Sequence, residues 1–151
     1  MHLREAEAHY HKGVAHSDAG ELESALAAFR DATLANPCLS QAWSGLAMML
    51  AKLGSPEESV ACYTRALDID PGNVEILLLK GNTLGQLHRH DEELVCYKEV
   101  LRLEPQNLDA LFRVGLSLGM AGRAVEAGEV LREAQRRGHP KAEELIRFLA
   151  G

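Results

Sequence analysis

Apolar residues recur along the chain every three to four positions, and Gly or Pro interrupts them at regular points. The stretch from Ser40 to Asn73 shows one complete unit. Two apolar segments of helical period flank Gly54-Ser55-Pro56, and Asp70-Pro71-Gly72 closes the unit. Such periodicity is typical of amphipathic helices, and the interruptions indicate where helices end. The pattern predicts nine helices, with bounds good to a few residues, at 4–18, 22–35, 40–53, 56–69, 74–87, 91–103, 108–121, 124–137 and 141–149.

The unit recurs with a step of 34 residues. Pro37, Pro71 and Pro105 keep this step, and His139, followed by Pro140, takes the next position. Residues that lie 34 positions apart form a column of equivalent positions. Two columns hold mostly small residues, and a third holds large ones. They are Gly13, Ala47, Gly81 and Gly115; Ala25, Ser59, Glu93 and Ala127; and Phe29, Tyr63, Tyr97 and Leu131. A single helix pair cannot bury its apolar face, so neighbouring pairs are expected to stack, with the large column buried.

These columns resemble the tetratricopeptide repeat (TPR) family, whose signature runs W-x2-L-G-x2-Y, then A-x3-F, then P. The second repeat matches it with Trp43, Leu46, Ala47, Leu50, Ser59, Tyr63 and Pro71. The resemblance extends from about Ala6 to Pro140. It implies an all-α fold, a right-handed α-α superhelix of helix–turn–helix repeats. We expect a single TPR domain over 1–151, with repeats at about 6–39, 40–73, 74–107 and 108–140 and a capping helix at about 141–149.

Several single residues carry further predictions. Gly20, Gly54 and Gly122 fall where the first helix of a unit ends in a left-handed residue, and His88 takes that place in the third repeat. Ser55 to Glu58 is expected to form a capping box, with Pro56 in the first turn. Glu93 stands in a small-residue column, so its carboxylate is expected to extend outward along the helix surface. The ninth helix is expected to cover the last repeat with a polar outer surface.

Composition narrows the functional classes. The chain has 151 residues, 46% of them hydrophobic and 25% charged, which is typical of a globular protein. A net charge of −6 argues against nucleic-acid binding. We expect no signal peptide, because the N-terminal stretch has no apolar h-region, and no transmembrane helix, because no run approaches about 18 apolar residues. Three cysteines without CxxC spacing fit a reducing compartment, so we expect a cytoplasmic protein.

By family resemblance, the first helices of the repeats line a concave face that holds the ligand. The predicted peptide-binding groove consists of Tyr10, Val14, Ser44, Met48, Leu78, Asn82, Phe112, Arg113, Leu116 and Met120. An exposed apolar stripe usually marks a binding site, here for an extended peptide or amphipathic helix of a partner protein. The structural alternative is that these residues pack between adjacent first helices and expose little.

The charged residues of the concave face indicate which kinds of partner it favours. In one TPR subclass, Lys, Asn and Arg side chains grip the C-terminal carboxylate of chaperones. Only Arg113 matches that set, so the Hsp70/Hsp90 C-terminal tail is not an expected partner. Acidic groove candidates, Glu7, Asp18, Glu75 and Asp109, outnumber Lys52 and Arg113. This favours a ligand with some basic residues, although surface charge usually serves only solvation.

No motif points to catalysis. The chain lacks G-x-S-x-G, a Walker loop and a G-x-G-x-x-G after a strand, and its seven histidines include no HExxH pair. We therefore expect a non-enzymatic interaction scaffold or adaptor with no cofactor and no metal. Two alternatives stay open: a self-assembly module that forms homo-oligomers, and a regulatory domain of a larger complex. Concentration-dependent mass, measured by light scattering, separates self-assembly from partner binding.

Overall fold

A computed structural model describes residues 2–151. These residues form nine α-helices and no strands, and the predicted helix bounds differ from the observed ones by two residues at most. The helices are α1 (His2–Asp18), α2 (Leu22–Ala35), α3 (Ser40–Lys52), α4 (Pro56–Ile69), α5 (Val74–Gln86), α6 (His90–Leu103), α7 (Leu108–Met120), α8 (Ala124–Arg136) and α9 (Ala142–Ala150). Helix contacts divide the chain into two compact units, one ending at Thr83 and one beginning at Leu84.

Four turns within helix pairs contain a residue with positive φ. Gly20, Gly54 and Gly122 have φ values of 77°, 86° and 79°, and His88 has φ of 57° at the equivalent position. In the second of these turns, Gly54 N–H donates to Ala51 O and the next N–H donates to the Leu50 carbonyl. Such bonds satisfy carbonyls that the helix end leaves open. The four left-handed positions predicted from the repeat are confirmed.

The predicted capping box before α4 is wrong. Ser55 is the N-cap residue and Pro56 occupies the first turn, as expected, but no side chain caps the helix. The reason lies in the backbone. In a capping box the Glu58 side chain would bind the N–H of Ser55, yet that N–H already donates to Leu50 O at 2.9 Å as part of the preceding turn.

In the first unit, the ring of Phe29 on α2 lies between α1 and α3. A methyl group added at Gly13 of α1 would lie 2.8 Å from this ring, and one added at Gly45 of α3 would lie 2.6 Å from it. Only 3% of Phe29 is exposed, and it packs with Leu46 and Met49. Glycine is therefore required on both sides, because a β-carbon would overlap the aromatic ring.

The second helix pair repeats this arrangement with different chemistry. Tyr63 of α4 is buried and packs with Ala47 and Ile76. The Ser59 hydroxyl donates a 2.7 Å hydrogen bond to the backbone carbonyl of Ala47. A small residue at position 59 thus allows close approach of α3 and α4 and also links them directly.

The second unit follows the same plan. Leu131 of α8 packs on α7 at Gly115, where an added methyl group would lie 2.6 Å from the leucine side chain. Tyr97 is likewise buried, so the large-residue column is confirmed at all four positions. Leu149 of α9 approaches Gly119, so the ninth helix packs on the last repeat as predicted. Its outer surface is not purely polar, because Phe148 is 78% exposed.

Glu93 does not extend outward, and that expectation is wrong. The residue is only 8% exposed, and its Oε1 would lie 2.7 Å from a methyl group at Gly85. Its Oε2 lies 2.9 Å from Nδ1 of His90. The carboxylate stays buried because Gly85 leaves space for it and His90 provides a polar partner.

Candidate functional site

The first unit contains an open cavity, here called the α1–α3 cavity. Its volume is about 280 Å³, and it is lined by side chains of α1, α3 and the start of α5, with Phe29 of α2 below. The helices α1 and α3 are in direct contact. The lining is mostly apolar or small: Tyr10, Val14, Ser17, Asp18, Phe29, Gln41, Ser44, Gly45, Met48, Met49, Asn73, Glu75 and Ile76.

Helical spacing explains why these side chains converge. Tyr10, Val14, Ser17 and Asp18 are four, seven and eight positions apart on α1, so they form one stripe. Gln41, Ser44, Gly45 and Met48 form the matching stripe on α3. The Tyr10 ring contacts the Phe29 ring, with centroids 5.9 Å apart. Ser44 and Gly45 lower the wall on the α3 side, which keeps the cavity open.

The charged residues that line this cavity are acidic. Asp18 comes from the last turn of α1 and Glu75 from the first turn of α5. Among the described lining residues, none is Arg, Lys or His. The α1–α3 cavity is therefore an apolar depression with negative charge on its rim.

The second unit contains a different pocket, here called the His139 pocket, of about 310 Å³. The His139 ring stacks on Phe112, with centroids 4.1 Å apart and an interplanar angle of 8°. Nδ1 of His139 accepts a 3.3 Å hydrogen bond from the Lys141 N–H, and Nε2 lies 3.4 Å from Oδ1 of Asp109. The turn before α9 therefore covers one face of Phe112.

Arg113 in this pocket is already engaged by a neighbouring side chain. Its Nη1 donates to the Tyr97 hydroxyl at 3.4 Å, and its guanidinium carbon lies 5.6 Å from the centre of the Tyr97 ring. Burial raises the pKa of Tyr97 to about 12, and the nearby Arg113 charge partly opposes that rise. Arg113 thus stabilises a core tyrosine as well as facing the pocket.

The structure divides the ten predicted groove residues among different surroundings. Four of them line the α1–α3 cavity: Tyr10, Val14, Ser44 and Met48. Three line the His139 pocket: Phe112, Arg113 and Leu116. Leu78 and Asn82 are half-buried on α5, and Met120 is 56% exposed. Sequence reasoning missed the role of His139, although its place in the proline column marked it as a departure from the repeat.

The remaining features are the three cysteines, possible metal-binding groups and possible membrane-spanning helices. Cys38 is exposed, Cys62 is half-buried and Cys96 is buried. Within residues 2–151, no group of three or more His, Cys, Asp or Glu side chains is arranged to hold a metal ion. In the same range, no helix is long and apolar enough to cross a membrane.

The fold and the cavity define an all-α protein of repeated helix pairs whose first helices carry an apolar depression. The chain belongs to the tetratricopeptide repeat family, since the profile of that family matches residues 1–37, 10–74 and 78–143. The predicted family and the predicted all-α repeat fold are confirmed. An uncharacterized protein of Methanocaldococcus jannaschii is 37% identical over 68 residues, which cover 45% of this chain and 79% of that protein.

Solved structures agree on the fold. The crystal structure of MamA protein superposes with a TM-score of 0.82 and 17% identity, covering 91% of this chain and 75% of that chain. The crystal structure of YrrB, described as a TPR protein with an unusual peptide-binding site, gives a TM-score of 0.82 and 20% identity over 93% of this chain and 74% of that chain. At these identities the likeness establishes the fold alone.

Proposed function

We propose that this protein is a non-catalytic scaffold that binds a peptide or helix of a partner protein in the α1–α3 cavity. The observation that carries the proposal is the cavity itself: an open apolar depression on the first helices, where four predicted groove residues meet. Tyr10, Val14 and Met48 offer apolar contact, and flexible methionine adapts to different side chains. Small residues at Ser44 and Gly45 leave room for the backbone of a guest.

The size and position of the cavity favour a peptide over a small metabolite. Small-molecule sites usually have volumes of about 300–1,000 Å³ and enclose most of the ligand. The α1–α3 cavity, at about 280 Å³, lies at the lower edge of that range and is open, so it would not enclose such a ligand. One or two side chains of a peptide would fill it, while the rest of the peptide runs along the helix surface.

A displayed random-peptide library provides the test. Wild-type protein is expected to enrich a family of peptides, and Met48→Glu is expected to lose them because it places a charge in the apolar lining. Leu34→Glu is the matched control, since Leu34 is 74% exposed on α2 and does not line the cavity. Thermal melts monitored by circular dichroism verify that both variants fold. Equal enrichment by wild type and Met48→Glu, or no enrichment by wild type, would refute the proposal.

Self-association is a second candidate, and one observation favours it. Val125 of α8 and Phe148 of α9 are each 78% exposed. Val125 lines a shallow pocket formed by the same two helices, together with Gly128 and Leu149. Exposed apolar surface of this kind often becomes an interface. If it pairs with a second copy, light scattering will show mass rising with concentration, and Phe148→Ser will abolish the rise. A constant monomer mass would eliminate this candidate.

A further inference from the structure

We propose that the α1–α3 cavity selects peptides in which an apolar side chain is flanked by lysine or arginine. This inference rests on the proposed peptide-binding function and assigns the chemical class of its ligand. The apolar side chain would enter the cavity above Phe29. The cations would remain at the rim, beside Asp18 and Glu75.

The floor of the cavity accounts for the apolar part of the motif. Phe29, Met49 and Ile76 are buried and form the deep lining. The uncharged polar groups in the lining are the hydroxyls of Tyr10, Ser17 and Ser44 and the amides of Gln41 and Asn73, and none of them carries an opposite charge for an ion. A charged group inserted deeply would lose hydration without gaining an opposite charge, whereas an aliphatic or aromatic side chain would gain favourable burial.

The rim accounts for the basic part. The carboxylates of Asp18 and Glu75 are exposed, and in the described chain neither forms an ion pair. Some other carboxylates are neutralised locally, as in the pairs Arg89–Glu92 at 2.6 Å and Arg123–Glu126 at 2.7 Å. The cavity rim therefore holds negative charge that the protein itself does not neutralise by pairing.

The position of Asp18 at the end of a helix strengthens the negative potential at the cavity rim. Asp18 is the last residue of α1, where the partial negative charge of the helix C-terminus adds to that of the carboxylate. Glu75 provides a second negative group from a different helix, so the negative potential does not depend on one side chain. A peptide with Lys or Arg beside its apolar residue matches both features, and an acidic peptide is repelled.

The peptides enriched by the displayed library identify the charge preference directly. A consensus that combines one apolar residue with Lys or Arg is the expected result. An enriched peptide and its analogue with glutamine at each basic position are then synthesised, and both affinities are measured by isothermal titration calorimetry. Raising sodium chloride from about 50 to about 500 mM should weaken the basic peptide and leave the glutamine analogue almost unchanged.

Variants connect the preference to the two carboxylates. Asp18→Asn with Glu75→Gln should weaken the basic peptide by about 2- to 30-fold, as expected for two exposed ion pairs. The glutamine analogue should bind the variant and wild type equally. The matched control is Glu23→Gln with Asp31→Asn, which removes the same charge from exposed positions on α2 outside the cavity.

The possible outcomes separate this inference from the proposed function. A basic consensus that Asp18→Asn/Glu75→Gln weakens and the α2 control does not would support it. A neutral or acidic consensus, or equal weakening by the control, would overturn the inference and leave peptide binding intact. If wild type enriches no peptide beyond Met48→Glu, both the proposed function and the inference are overturned.

Discussion

The packing of Phe29 between two glycines makes the effect of Gly45→Ala depend on the residue at position 29. The added β-carbon would lie 2.6 Å from Cε1 and 2.7 Å from Cδ1 of the ring, well inside the favourable separation of about 3.5–4.0 Å. Little space is left for the ring to move toward α1, because a β-carbon at Gly13 would lie only 2.8 Å from it. We therefore expect Gly45→Ala to destabilise the protein.

The magnitude follows from two opposing terms. Overpacking of a filled core costs about 1–3 kcal/mol, and replacing a mid-helix glycine by alanine gains about 1 kcal/mol in helix propensity. The net loss of unfolding free energy is then up to about 2 kcal/mol. In a Phe29→Ala background the ring is absent, so only the propensity gain is left and Gly45→Ala should stabilise by about 1 kcal/mol.

Urea unfolding measured by far-UV circular dichroism tests this cycle. The coupling between positions 29 and 45 should be about 1–3 kcal/mol. Phe29→Ala alone should cost about 3–5 kcal/mol, so Phe29→Leu provides a milder second background. Gly128→Ala is the control, since the nearest atoms there belong to Arg132, 3.7 Å or more away. It should stabilise the protein by about 0.5–1 kcal/mol. If Gly45→Ala stabilises as much as Gly128→Ala, the packing argument fails.

Three further predictions concern buried polar groups. Burial raises the pKa of Tyr63 and of Tyr97 to about 12, and the hydrogen bond of Ser59 and the charge of Arg113, respectively, partly oppose the rise. Because the folded pKa exceeds the unfolded value of about 10, the contribution of these tyrosines to stability is complete below pH ~10 and is lost between pH ~10 and ~12. Tyr63→Phe should reduce that loss in melts at alkaline pH. In the described chain the buried Ser117 hydroxyl has no hydrogen-bond partner, so Ser117→Ala should stabilise by about 1 kcal/mol in urea titrations, and destabilisation would contradict this. Gly85→Ala should stabilise a Glu93→Ala variant by about 1 kcal/mol and should be less favourable in wild type, where the Glu93 carboxylate fills that space and must move; an equal effect in both backgrounds would disprove the contact.

The helices and the buried columns could be predicted from sequence because they depend on averages over four copies. Phe29, Tyr63 and Leu131 share a position and a size class, so the repeat alone predicts that they fill equivalent spaces. The left-handed site at His88 is predictable for the same reason, since three other copies have glycine there. In both cases the residues at equivalent positions in the other repeats support the prediction even where one repeat departs from the pattern.

Predictions that depended on single residues were less reliable. The capping box at Ser55 was wrong because its N–H is already bonded to Leu50 in the preceding turn. The outward path of Glu93 was wrong because Gly85, which lies outside the small-residue columns considered, provides space for the carboxylate. Each error arises from a neighbour that the repeat phase does not specify.

The candidate site depends even more on such neighbours. Tyr10 and Phe112 occupy the same column, yet Tyr10 lines an open cavity and Phe112 is covered by the ring of His139. The repeat predicts which helix face each residue lies on, but not what covers that face. The exposure of a groove residue therefore depends on the local turn, and sequence periodicity alone cannot predict it.

This difference suggests where ligand specificity originates. The core column keeps large residues from Phe29 to Leu131, because every copy must fill the same space between helices. The column of Asp18 continues instead with Lys52, Gln86 and Met120, so its charge and size change at each step. A position that packing does not constrain is free to carry recognition chemistry. Asp18 also lines the α1–α3 cavity, and we therefore expect its substitution to alter peptide choice while leaving the unfolding free energy almost unchanged.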